Sequence, residues 1–130
     1  MMLNLEPLAA QASLGMTAQG SGSDCDRLIT KAAAVLAEQG LFAFGLFLFS
    51  RKRNGEPEIA RNILRSCRAL LAQAGLAPLH EERDEPSYWK GLGEQRDGED
   101  GATALRRLLL TKQLVELALN YGRYRAKGMD

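Results

Sequence analysis

The sequence predicts an all-α fold, a compact bundle of about five helices with a long acidic loop ahead of the last one. Three observations lead there. Apolar residues recur at three- and four-residue spacing in separate long segments, Pro, Gly and Asp stand at the ends of those segments, and no stretch alternates apolar and polar residues as a half-buried strand would. At 130 residues the chain suits one domain, with a core large enough to fold without disulfides or metal.

Residues 1–23 hold one short apolar stretch, from Leu5 to Leu14, with Pro7 at a favourable first helical position and the run Gly20-Ser21-Gly22-Ser23-Asp24 behind it. They are expected to form a short helix or arm on a flexible joint, leaving residues 24–130 as the bundle proper. Asp24 or Asp26 is placed to cap a second helix, in which Leu28, Ile29, Ala32, Val35 and Leu36 recur at helical spacing until Gln39, before Gly40 interrupts. The run LFAFGLFLF over 41–49 follows. It is expected as a buried helix, because Asn54-Gly55 is followed at once by Pro57 and a helical pattern, which leaves no second strand for the run to pair with.

Pro57 opens the clearest helix, with Ile59, Ala60, Ile63, Leu64, Cys67, Leu70 and Leu71 on one face and Gly75 just past its end. Over 80–101 eight acids outnumber three bases and four glycines intervene, so this stretch is expected as a long, solvated acidic loop. Thr103 is placed to cap a long final helix, with Leu105, Leu108, Leu109, Val115 and Leu119 on one flank and Leu110, Leu114 and Leu117 beside them. Gly122 predicts fraying there, with residues 123–127 acting as a mobile basic tail. The expected core is Leu36, Phe44, Phe47, Ile63, Leu64, Cys67, Leu71, Leu110, Leu114 and Leu117.

Seventeen Lys and Arg against sixteen Asp and Glu give a formal net charge of +1, so bulk charge announces neither a nucleic acid nor a membrane surface. Any charged partner must be read from a local patch. Two cysteines are too few for a disulfide framework, and no Lys or Arg precedes Arg27 to make a basic leader, so a cytoplasmic location is expected. The apolar run over 41–49 reaches only half of the roughly 20 residues a membrane helix needs, so no membrane partner is expected.

Enzyme signatures are nearly absent. The single histidine, His80, has no serine or cysteine in a nucleophile turn near it, and no catalytic residue can be named. Gly91-Leu92-Gly93 lacks the preceding strand and the third glycine of a dinucleotide loop, so no cofactor is expected. The acidic run 97–101 resembles the start of a calcium loop, but Leu108 stands where an EF-hand needs its twelfth-position acid, so no metal is expected. Cys67 reads as a packed core thiol and Cys25, beside the joint, as an idle exposed one.

Positive charge is distributed more informatively. Arg61, Arg65 and Arg68, spaced four and three, project from the side of their helix opposite its apolar face. Arg51, Lys52 and Arg53 stand in the turn before that helix, and Arg106, Arg107 and Lys112 near the start of the last. The candidate nucleic-acid-binding set is Lys52, Arg61, Arg65, Arg68, Arg106 and Lys112. Such a stripe neutralises phosphates whatever the base sequence. A row of guanidinium groups on one helix brings no aromatic stacking partner, so contact with phosphates and not bases is expected. The competing interpretation is a solvated helix face.

Two stretches carry a likeness to a known family. In 35–50, VLAEQGLFAFGLFLFS, a helix ends in a polar residue before Gly-Leu and an aromatic run, with Gln39, Gly40, Leu41 and Phe47 in register. In 110–126, LTKQLVELALNYGRYRA, the likeness rests on Thr111, Lys112, Leu117, Tyr121, Arg123 and Tyr124. Together they resemble the small helical subunit of the type III-B CRISPR effector, the Cmr complex. The resemblance covers about a quarter of the chain. It implies a non-enzymatic structural subunit that stacks with copies of itself and with neighbouring effector subunits, along the groove that holds guide and target RNA; single-stranded DNA is the other strand such a surface could meet. The alternative class is a small helical protein–protein adaptor whose arginines only solvate its surface.

Overall fold

The computed structural model describes residues 5–52, 55–77 and 84–129. Six helices follow in order: α1 (Glu6–Met16), α2 (Gly22–Gln39), α3 (Leu41–Phe49), α4 (Glu56–Gln73), α5 (Glu85–Gly91) and α6 (Gly101–Lys127). No strand occurs among the described residues, and the all-helical expectation holds. The expectations for Arg53, Asn54, His80, Glu81, Glu82 and Arg83 lie outside the described residues.

Helix α1 is built into the bundle. Ala9, Ala12 and Met16 are buried against α4 and α6, and Tyr121 of α6 donates to Glu6 Oε1 at 3.0 Å. Of the two forms expected here, helix or arm, the helix is found, and it is packed into the bundle because small residues along α1 let it lie close to its neighbours. Ser21, not Asp24 or Asp26, caps α2, accepting from the Asp24 backbone N–H at 3.0 Å, so most of the Gly/Ser run is the first turn of a helix. Cys25 is fully buried and its thiol points at the Gln19 carbonyl, 3.1 Å away, which corrects its reading as an exposed thiol.

Gly40 joins α2 to α3. Its φ of +95° is open to glycine and costly for other residues, and it lets its N–H reach Leu36 O while its own carbonyl accepts from Phe44 N, each at 3.0 Å. The apolar run then forms α3 with Leu41, Phe44 and Leu48 inside and Phe42, Leu46 and Phe49 outside. Helix α4 buries Ile59, Ile63, Cys67 and Leu70 on the expected face.

The stretch expected as an acidic loop contains a helix, α5. Asp84 caps it, accepting from Ser87 N at 2.8 Å, and Tyr88 and Trp89 are buried. Trp89 meets Phe44 edge-on with ring centroids 5.3 Å apart. Two large aromatic side chains outweigh the local acidity, which is why the solvated-loop expectation fails here. The segment after α5 is also tied down. Arg107 donates to Glu99 Oε2 at 3.1 Å and to the carbonyls of Leu92 and Glu94 at 3.0 and 2.8 Å.

Asp100, not Thr103, caps α6, accepting from Thr103 N at 2.7 Å. The C-terminal half of this 27-residue helix supplies Leu114, Val115, Ala118 and Leu119 to the core, against α1 and α2. Of the expected core, Phe47 and Leu117 are half-buried, and Leu110 is corrected to exposed. Residues 123–127 are helical, which corrects the frayed tail. Gly122 is a close-approach site, since a Cβ there would stand 3.1 Å from Ile29 and 3.2 Å from Met16, and Arg123 lies 3.6 Å from Asp26.

Candidate nucleic-acid interface

The outer face of α4 forms one wall of an open groove of about 590 Å³. The spacing of four and three places Arg61, Arg65 and Arg68 on that wall, as the sequence indicates. Leu48 and Leu64 give the groove apolar lining, Phe49 and Arg51 come from the end of α3 and the turn after it, and Glu85 from the first turn of α5. Four of the described lining residues are arginines and one is an acid.

These arginines are held differently. Arg68 donates to Glu85 Oε1 at 2.8 Å and its guanidinium lies 4.1 Å from the centre of the Tyr88 ring. Arg51 lies 4.2 Å from the centre of the Phe47 ring while its Nε donates to Phe47 O at 3.0 Å. Both are fixed by packing. Arg61 and Arg65 are exposed and pair with no acid among the described residues. They stand one helical turn apart, about 6 Å along the axis, so two adjacent guanidinium groups face solvent beside an apolar floor.

The other nominated cations are placed elsewhere. Lys52 is exposed beside Arg51 but does not line the groove. Arg106 is exposed on α6, and Lys112 lies 4.0 Å from Glu116 on the same helix. Because α6 packs mainly on α1 and α2, neither reaches the groove wall on α4. Arg107, basic by sequence, is consumed by Glu99 and backbone carbonyls.

Arg51 is basic by sequence but lies outside the candidate set, and two further groove residues, Phe49 and Glu85, are not singled out by the sequence. Phe49 is 55% exposed at the groove edge. Its signal was present, an aromatic residue just ahead of a basic turn, but it was hidden in a run that is apolar throughout. Glu85 sat among acids expected to be solvated. Its second oxygen accepts from Trp89 Nε1 at 3.0 Å, so one carboxylate links the groove wall to the buried aromatic pair. At its neighbour Asp84, the hydrogen bond from the Ser87 backbone holds the carboxyl below its ordinary range.

No protein-family model matches the chain, and neither a characterised protein nor a solved structure shows significant similarity to it. Among the described residues no group of three or more His, Cys, Asp or Glu side chains is placed to hold a metal ion, and no helix is long and apolar enough to cross a membrane.

Proposed function

We propose that the protein is a non-catalytic structural subunit of a type III CRISPR effector, which contacts the backbone of guide or target RNA through the arginine groove and packs against copies of itself and neighbouring subunits. The observation that carries this is the pair Arg61 and Arg65, exposed and paired with no acid among the described residues, beside two arginines already fixed in place. Unpaired guanidinium groups at helical-turn spacing offer bidentate donors to successive phosphates, and they release counterions on binding. The likeness of 35–50 and 110–126 to the Cmr small subunit supplies the biological setting. Exposed Phe42 and Leu46 on α3 and Leu105, Leu109 and Leu110 on α6 add apolar surface suited to packing against neighbours.

The test is reconstitution with the other type III-B subunits and guide RNA from the same genome. The chain is expected to co-elute with the assembly, and the double change Arg61→Glu with Arg65→Glu to weaken target retention and flatten its salt dependence. Arg68 is left intact because it braces α5. A chain that stays out of the assembly overturns the proposal. Retention and salt slope equal to the parent would reduce the groove to a solvated face and leave the adaptor role, served by the leucine face of α6.

A further inference from the structure

We propose that the groove is a single-strand site, in which one unpaired base stacks on Phe49 while consecutive phosphates lie on Arg61 and Arg65. This rests on the reading of the groove as a backbone-binding surface and adds to it a base contact and a preference for unpaired over duplex RNA.

Phe49 ends α3 with more than half of its surface in solvent, and among the described residues it is the large exposed apolar side chain that lines the groove. The neighbouring rings are already occupied: Phe47 lies under Arg51, Tyr88 under Arg68, and Phe44 against Trp89. Among the described residues the Phe49 ring has no cation or second ring over it. The exposed Phe49 ring, in the same groove as two guanidinium groups that pair with no acid among the described residues, matches the two halves of a nucleotide, a flat apolar base and an anionic phosphate. Arg61 and Arg65 are about 6 Å apart along α4, of the order of the spacing between consecutive phosphates in an extended strand. A duplex hides its base faces within the stack, so only an unpaired strand presents a base to Phe49. Stacking tolerates every base, so the site discriminates strandedness and not sequence.

The experiment is an NMR titration of the full-length protein at low salt with three probes: a short single-stranded RNA, the same strand in a duplex, and the strand with its central bases removed. Phe49→Ala is expected to weaken single-strand binding about tenfold, to leave duplex binding unchanged, and to have no effect on the abasic strand. Phe49→Trp is expected to retain binding, which separates a lost stacking face from a disturbed helix end. Single-strand affinity unmoved by Phe49→Ala, while Arg61→Glu with Arg65→Glu abolishes it, overturns the stacking proposal and leaves the backbone reading standing. Affinity unmoved by either, or no binding of the parent protein at millimolar RNA, overturns both. A free mononucleotide that binds as tightly as the strand overturns the strand and makes the groove a small-ligand site.

Discussion

Arg68 and Glu85 meet at 2.8 Å between α4 and α5, and the same carboxylate accepts from Trp89 Nε1 through its other oxygen. Both charged side chains are largely shielded, at 16% and 26% exposure. Removing one partner strips the other of its hydrogen bond where water replaces it poorly. Arg68→Ala is expected to destabilise the fold by about 1–3 kcal/mol in denaturant titration. Arg65→Ala, one turn away and exposed, should change stability by less than about 0.5 kcal/mol. Equal effects would show that Arg68 does not brace α5.

Gly45 is where α3 admits Trp89. A Cβ added there would come within 3.0 Å of three Trp89 side-chain atoms, and the indole is walled in by Phe44 and Tyr88. Helix propensity alone favours Gly45→Ala by about 1 kcal/mol. Overpacking costs about 1–3 kcal/mol and should win, giving a lower melting temperature and a shifted Trp89 emission. A stabilised variant with parent-like fluorescence would mean that α5 does not dock on α3 as described.

Cys67 is fully buried among α4 leucines, and burial pushes its thiol far above the ordinary range. Cys67→Asp is expected to destabilise by several kcal/mol, because a carboxyl there meets no partner. In the native protein both Cys67 and Cys25 should resist iodoacetamide, and both should label after unfolding. Rapid labelling of native Cys25 would contradict its packing beside Gln19.

Glu99 titrates at about 2 against an ordinary 4.5, held down first by the hydrogen bonds from Arg107 and then by the Arg96 backbone N–H. A carboxyl lowered on folding stabilises the native state fully above its unfolded value, and that contribution fades as pH falls from 4.5 toward 2. Stability of the parent should therefore drop across that window, and Glu99→Gln should flatten the drop by removing the group that titrates. Identical pH profiles for the two proteins would mean that the Arg107 cluster is not formed in solution.

Local patterning was sufficient for α2, α3, α4 and most of α6. Their apolar spacing, the interruption at Gly40 and the proline near the start of α4 each act within one or two turns, so neighbouring residues in sequence carry the needed physics. The Arg61, Arg65 and Arg68 row was legible for the same reason, since a helix turns spacing into a face. What depended on residues distant in sequence was not legible. Composition assigned Glu85 and Glu99 to a solvated loop and left Arg107 as one more basic residue of the last helix, whereas packing provides partners: Arg68 and Trp89 for the first, and each other for the remaining two. Leu110 followed the helical pattern yet lies outside the core, because α1 and α2 cover only the later part of α6. Phe49 sat in a uniformly apolar run, and which of its rings faced the core was settled only when α5 placed Trp89 against Phe44 and Gly45. Tertiary contact decides such positions because burial is set by what covers a side chain, and that covering surface arrives from elsewhere in the chain.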